Sequence, residues 1–172
     1  MLAFREWFLE QMGMYAAYHR DWRNQATHHV GVPLIVFSLV LALTQIQLGQ
    51  IAGATVSAAS ILLGLLLIGY VVAVPLVGIV ATLFYAALYG VAVTLAANLT
   101  SLLWALVAGC FVGGWIIQFV GHIFEGRRPA LTVNAIQIFM APSFLIAEIL
   151  FVIGVGKSLQ EQIQSRAVKY LS

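Results

Sequence analysis

Charged residues are scarce in this sequence. Only 8% of its 172 residues are Asp, Glu, Lys or Arg, whereas 62% are hydrophobic, and the mean hydropathy is +1.00. Soluble domains carry about 25% charged residues. None of the four charged residue types occurs between Arg23 and Glu125. This composition excludes an ordinary soluble domain, because too few polar groups exist to cover a water-facing surface, and it predicts an integral membrane protein.

Cysteine and net charge are low as well. The single cysteine, Cys110, lies in an apolar run, so the chain has neither a disulfide framework nor a CxxC metal motif. The formal net charge of +2 is small and spread along the sequence. Nucleic-acid-binding proteins instead concentrate basic residues on one surface. We therefore expect membrane lipid as a partner and no nucleic acid.

The apolar residues occur in runs long enough to span a bilayer. A transmembrane helix needs about 20 apolar residues, and polar turns divide the sequence into spans near 30–48, 51–74, 75–97 and 102–120, with Pro75 as the strongest breaker. Residues 131–156 form a further apolar stretch, which either crosses once or enters and returns. The fold class predicted is all-α: a multi-pass transmembrane helix bundle with about four to six membrane segments.

The two ends of the chain differ from this apolar centre. Over residues 1–23, aromatic side chains recur at three- and four-residue steps between charged ones, which predicts an amphipathic helix at the headgroup level. We assign 1–28 to this interfacial helix, 30–156 to the transmembrane bundle and 157–172 to a polar tail. All three parts belong to a single membrane-embedded domain.

Counting the spans predicts which parts of the chain meet. An even number of crossings separates His28 from His122, so both residues should lie at the same membrane face. Five arginines flank these two positions on that face: Arg5, Arg20, Arg23, Arg127 and Arg128. The positive-inside rule makes this face cytoplasmic. The same rule favours a returning stretch at 131–156, because all eight basic residues would then lie inside.

All four histidines are next to these two converging boundaries: His19, His28, His29 and His122. Imidazole is the commonest metal-ligating side chain and suits iron, copper and zinc. Glu125 follows His122 by three residues, so it can share a metal or accept a proton on the same helical face. Asn24 and Gln118 are candidates for orienting an imidazole. Singly, each histidine reads as a headgroup contact or a helix cap, but together they predict a metal site.

Two other polar features lie near this site. Arg127 and Arg128 could pair with an acidic lipid or a substrate carboxylate, and simple anchoring at the cytoplasmic face explains them equally well. Glu148 interrupts an apolar run, and an ionisable residue in such a run is expected to be functional or paired.

Three sequence motifs resemble a known family, that of the fungal 2-hydroxy fatty acid dioxygenase, long catalogued as a domain of unknown function. The opening motif is Tyr18-His19-Arg20-Asp21-Trp22-Arg23-Asn24, followed by His28, Gly31 and Pro33. The second is Gln118-Phe119-x-Gly121-His122-x-x-Glu125-x-x-x-Pro129-Ala130-Leu131, and the third is Ala141-Pro142-x-Phe144 with Glu148. The resemblance covers nearly the whole chain.

The resemblance implies an Fe(II)-dependent membrane enzyme. Such an enzyme uses O2 to shorten a 2-hydroxy fatty acid by one carbon, in the α-oxidation that follows phytosphingosine breakdown. Carried over to this chain, the implied metal ligands are His19, His28 and His122, with His29 and Glu125 as further candidates. From the chemistry of the residues, we expect Glu125 and Asn24 to be catalytic, with Glu125 helping to move protons, and Arg127 or Arg128 to hold the substrate carboxylate. We expect a bacterial inner membrane rather than the endoplasmic reticulum, and a homo-oligomer is left open.

Other functions also fit the residues. A two-iron lipid hydroxylase or desaturase uses more histidines than the four present. A bis-histidine haem protein could carry electrons, with His19 or His28 opposite His122. A small proton-coupled transporter could relay protons through His and Glu, but the first four spans carry no charged residue and no internal repeat is evident.

Overall fold

The structure is a computed structural model that describes residues 2–171, apart from the side chain of residue 131. Its helices are α1 (Leu2–Ala17), α2 (Trp22–Leu43), α3 (Ala58–Ala73), α4 (Pro75–Asn98), α5 (Leu103–Glu125), α6 (Gln137–Val152) and α7 (Lys157–Ala167). Strands β1 (Gln47–Ile51) and β2 (Ala54–Ser57) form one hairpin between α2 and α3, and single 3₁₀ turns lie at Ala130–Thr132 and Val168–Tyr170. The prediction of an all-α bundle is confirmed.

Within residues 2–171, three helices are long and apolar enough to cross a membrane: α2, α4 and α5. Helices α3 and α6 are also apolar but have only 16 residues each. The span expected at 51–74 is shortened because the antiparallel hairpin occupies its first residues, with a turn at Ala52 and Gly53. Ser57 then begins α3 through a reciprocal side-chain cap with Ser60.

The N-terminal segment forms two helices, whereas from the sequence we assign 1–28 to one interfacial helix. The break lies between Ala17 and Trp22, and Asp21 caps α2 by accepting a hydrogen bond from the backbone N–H of Arg23 at 2.8 Å. Hydrogen bonds from Arg23 lower the pKa of Asp21 to about 2, so this cap is charged at neutral pH. His19 consequently lies in a connection between helices, and α2 begins before the predicted first span.

Helices α2 and α5 pack closely in opposite directions. A Cβ atom built on Gly31 would lie 2.9 Å from the carbonyl oxygen of Gly114, and one on Gly114 would lie 2.9 Å from that of Gly31. Seven residues further along α5, a Cβ on Gly121 would overlap Asn24 and Thr27, which lie earlier on α2. Small residues allow this approach of the two backbones. The start of α2 therefore lies beside the end of α5, as the count of spans predicts.

The remaining apolar helices complete the bundle. Helix α4 begins at Pro75 directly after Val74, which confirms the predicted boundary, and proline suits this first helical position. Gly78 packs against the backbone of Val71, so α3 and α4 fold back on each other.

The C-terminal helices return to α1. Helix α6 begins beside α1, where the Gln137 side-chain amide donates to Gln11 at 2.9 Å. The segment after α7 returns to α1 as well, since Lys169 pairs with Glu10 at 3.0 Å. Both the start of α6 and the segment after α7 therefore contact α1; the returning arrangement of residues 131–156 stays a prediction.

Candidate metal centre

Three histidines from distant parts of the chain meet at the α1 end of the bundle. His19 lies in the α1–α2 connection, His28 in the second turn of α2 and His122 in the last turn of α5. Their side chains are 4%, 2% and 8% exposed, respectively. One ring nitrogen from each lies within 4.8 Å of the others. This is the only such group of metal-ligating side chains found in the part of the chain that the structure describes.

Backbone carbonyl groups fix the orientation of two of these rings. His19 Nδ1 lies 2.8 Å from the carbonyl oxygen of Tyr15, and His28 Nδ1 lies 2.9 Å from that of Asn24. Since a carbonyl only accepts, each Nδ1 carries the hydrogen and donates it. The Tyr15 ring also stacks on His19, with ring centroids 3.9 Å apart. The Nε2 lone pair of each histidine is therefore directed into the cluster.

The Nε2 atoms of His19 and His28 lie 3.2 Å apart. With both hydrogens on Nδ1, two lone pairs face each other at this distance. His122 Nδ1 is buried and has no hydrogen-bond partner among residues 2–171. Burial also lowers the pKa of His19 well below its ordinary value, with His28 nearby acting in the same direction, so its ring stays neutral. Neutral imidazoles with inward lone pairs and an unpaired nitrogen fit a divalent transition metal.

Glu125, predicted from sequence as a ligand or catalytic group, contacts the chain around His19. Its carboxylate accepts hydrogen bonds from the backbone N–H of Arg20 at 3.0 Å and of Asp21 at 2.8 Å. The side-chain amide of Asn24 donates to the same carboxylate at 3.1 Å. Asn24 itself is fully buried, and it orients His28 through its backbone carbonyl rather than its side chain.

His29 points away from the other histidines. Adjacent helical residues are about 100° apart, and His29 Nε2 lies 3.7 Å from a carboxylate oxygen of Glu148 on α6. Glu148 therefore lies beside His29, and its functional or paired role stays a prediction. His29 is not part of the three-histidine group.

The two arginines expected to bind a substrate carboxylate lie outside the cluster. The Arg127 guanidinium donates to the backbone carbonyl groups of Tyr170 at 3.3 Å and Leu171 at 3.0 Å, tying the C-terminal segment to the end of α5. Arg128 is exposed. The role of both in substrate binding stays a prediction.

An apolar cavity of about 630 Å³ begins at the three histidines. It follows α2 from His28 to Leu43, roughly 22 Å at 1.5 Å per residue. Most of its lining is aliphatic, and polar groups besides the histidines come from Tyr15, Trp115, Gln118 and Gln137.

Gln137 lines the cavity and was not among the candidate site residues that the sequence indicated. The side chain is 1% exposed, and its Oε1 has no hydrogen-bond partner within the described residues. A buried amide in an apolar segment is itself a signal of function or pairing.

The fold and the cluster define a class: a helical protein of membrane-protein composition, with a three-histidine candidate metal centre at one end of an apolar cavity. Within that class the chain belongs to the Mpo1-like family, whose model, described as 2-hydroxy-palmitic acid dioxygenase Mpo1-like, matches residues 5–152. The chain is similar to the 2-hydroxy-palmitic acid dioxygenase MPO1 of Saccharomyces cerevisiae, with 34% identity over 146 residues, 84% of this chain and 80% of the relative. No solved structure matches the chain. The family resemblance carried by the three motifs is confirmed.

Proposed function

We propose that this protein is an Fe(II)-dependent membrane dioxygenase that shortens 2-hydroxy fatty acids by one carbon. The observation that carries the proposal is the convergence of His19, His28 and His122 at the end of an apolar cavity. Membership of a family whose yeast relative is named a 2-hydroxy-palmitic acid dioxygenase supports it.

The three histidines are the proposed metal ligands. Iron(II), when bound there, would supply O2 activation and a point of attachment for the hydroxyl and carboxylate of the substrate. Iron with nitrogen ligands and open positions is typical of non-haem oxygenases. The carbonyl groups of Tyr15 and Asn24 keep His19 and His28 in the orientation that this binding requires.

The cavity provides the proposed site for the acyl chain. Its aliphatic walls along α2 and α3 would hold the chain by burial of apolar surface and exclude water from the histidines. Gln118 lies one turn before His122, and Gln137 has an unpaired Oε1 that can accept a hydrogen bond from a hydroxyl group. These two amides are the proposed partners of the substrate head, together with Arg127 or Arg128 as predicted from the sequence.

The proposed reaction balances without an external reductant. For a substrate R–CHOH–COOH, the bond between C1 and C2 breaks, and C2 is oxidised to the carboxyl group of the shortened acid. C1 leaves as carbon dioxide. O2 accepts four electrons from the substrate, and the remaining oxygen atom leaves as one molecule of water. The substrate supplies every electron that O2 accepts, so no redox partner protein is needed.

The test is a metal and product analysis of detergent-purified protein. We expect close to one bound iron per chain, held by the three histidines. We also expect formation of the acid one carbon shorter when a 2-hydroxy fatty acid is supplied in air. His28→Ala should abolish both iron binding and turnover. The matched control is His29→Ala, the adjacent histidine outside the cluster, which should retain both.

Two results would contradict the proposal. Folded protein without iron and without turnover would remove the oxygenase function. A Soret band in place of non-haem iron would favour the haem alternative instead.

A further inference from the structure

Glu125 forms a network that joins the segments carrying the three histidines. Its carboxylate accepts hydrogen bonds from the backbone N–H groups of Arg20 and Asp21 and from the side chain of Asn24. We call this set the Glu125 clamp. It connects the end of α5 to residues about a hundred positions earlier in the chain.

Each contact of the clamp lies next to a histidine of the cluster. Arg20 and Asp21 directly follow His19. Asn24 begins the turn that leads to His28, and its carbonyl group accepts the hydrogen bond from His28 Nδ1. Glu125 itself lies one turn after His122. A single carboxylate thus connects the three segments that carry the proposed ligands.

The hydrogen bonds of the clamp are stronger than ordinary ones because their acceptor is a carboxylate. Hydrogen bonds to an ionised carboxylate are about twice as strong as neutral ones. The N–H groups belong to the connection and the N-terminus of α2, where the helix dipole also favours a negative charge. The absence of a side chain at Gly121 leaves room for Asn24 beside α5. These contacts occupy both carboxylate oxygens of Glu125.

We propose that Glu125 is a positioning residue, which holds the His19 connection and the first turn of α2 in place through backbone N–H groups and Asn24. This role deepens the proposed function, since it concerns the same three-histidine site. It differs from the role of ligand or proton carrier expected from the sequence. In the absence of the carboxylate, the connection loses its attachment to α5, and His19 is no longer held against His28.

The experiment uses the isosteric variant Glu125→Gln in the full-length protein. First, amide hydrogen exchange is measured on metal-free protein for the peptide covering residues 18–24. We expect faster exchange in Glu125→Gln than in wild type, because the carboxamide presents an NH2 group toward an N–H donor. Glu10→Gln, which removes a carboxylate of α1 outside the clamp, should leave this peptide unchanged.

Second, metal affinity is measured by titration with Co(II) as the probe. We expect Glu125→Gln to weaken binding by about 10- to 100-fold, the range for loss of an orienting partner. Because most of the clamp's hydrogen bonds go to the connection that carries His19, Glu125→Gln should cost less Co(II) affinity in a His19→Ala background than it costs in the wild-type background. Glu125→Asp keeps the charge on a shorter side chain. Its exchange rate at residues 18–24 and its Co(II) affinity should lie between those of wild type and Glu125→Gln.

Unchanged exchange at residues 18–24 in folded Glu125→Gln would overturn the positioning role. Additive loss of Co(II) affinity in the double variant would also overturn it and make Glu125 a ligand. If wild-type protein binds no metal, the proposed function fails, and the exchange measurement alone decides the role of Glu125.

Discussion

At the scale of single residues, hydrogen bonding decides what each histidine can do. His19 and His28 donate through Nδ1 to backbone carbonyl groups, so their Nε2 lone pairs are available to a metal. His29, one position after His28, faces Glu148 on another helix. Chemically identical side chains thus have different roles because the backbone turns each ring toward different neighbours.

Acid should destabilise the metal-free protein partly through His19. Burial lowers the pKa of His19 well below the ordinary value of 6.5. The unfolded chain therefore binds a proton at a higher pH than the folded one, so stability is complete above pH 6.5 and decreases as the pH falls below it. We expect the unfolding temperature of chelator-treated protein to decrease less steeply with falling pH in His19→Gln than in wild type. Equal slopes in the two proteins would contradict this.

The length of the accepted acyl chain should depend on side chains at the end of the cavity far from the histidines. Leu62 lines the cavity near the start of α3 and is 55% exposed, so a larger side chain can be accommodated there without unfolding the core. Leu62→Trp should retain turnover of short 2-hydroxy acids and lose that of long ones, measured by competition between chain lengths. Ile61→Trp, on the adjacent residue outside the cavity lining, should show no such change. If Leu62→Trp lost turnover of 2-hydroxy acids of every chain length, the prediction would be contradicted.

At the scale of helices, the antiparallel contact of α2 and α5 creates the site. The close approach at Gly31 and Gly114 aligns the start of one helix with the end of the other, which brings His28 and His122 together. A Cβ atom at either glycine would meet a backbone carbonyl oxygen as well as a side chain, so movement of side chains alone cannot make room for it. The separation of α2 and α5 therefore sets the distance between His28 and His122 as well as the packing of the bundle.

Gly114→Ala should separate α2 from α5. The new methyl group would lie 2.9 Å from the Gly31 carbonyl oxygen and 2.7 Å from Ile35, and such overpacking costs about 1–3 kcal/mol. We expect a lower unfolding temperature in detergent and weaker metal binding. The control is Gly113→Ala, where a Cβ atom meets nothing within 4 Å among the described residues. Equal stability and equal metal affinity in the two variants would show that the contact between Gly31 and Gly114 is not needed to form the site.

The meeting of α2 and α5 could be predicted from the sequence, and other elements could not. Span counting depends on apolar length alone, so it correctly brought His28 and His122 to one end. The hairpin at 47–57 was missed because the second span was begun at Ile51, although Gly49, Gly53 and the Ser57 cap were usable signals. The contacts of Glu125 were missed for a different reason: backbone N–H groups have no sequence signature, and these lie more than a hundred residues away.

At the scale of the whole molecule, the basic residues gather at one end. Helix α7 and the segment after it pack on α1 through Glu6, Glu10, Arg166 and Lys169, so the basic tail lies at the same end as the arginines near the histidines. The hairpin lies at the opposite end, after α2 has run the length of the bundle. By the positive-inside rule, we expect the histidine end to face the cytoplasm.

Cysteine labelling in intact bacterial cells tests this orientation. In a background with Cys110 replaced by Ala, Gln50→Cys in the hairpin and Ser158→Cys in α7 are both exposed sites. A membrane-impermeant maleimide should label Gln50→Cys from outside and Ser158→Cys only after permeabilisation. The reverse pattern would place the histidine end outside, and labelling of both sites from outside would contradict the predicted number of crossings.

The position of the cavity opening determines how the enzyme would encounter its substrate. Leu39 on α2 and Leu65 on α3 line the cavity and are exposed on the apolar flank of the bundle, so the cavity opens sideways, where lipid tails would surround the helices. A fatty acid entering there arrives by diffusion within the membrane. Its effective concentration is then a mole fraction in the bilayer or micelle, and adding inert detergent at constant bulk substrate should slow turnover by surface dilution.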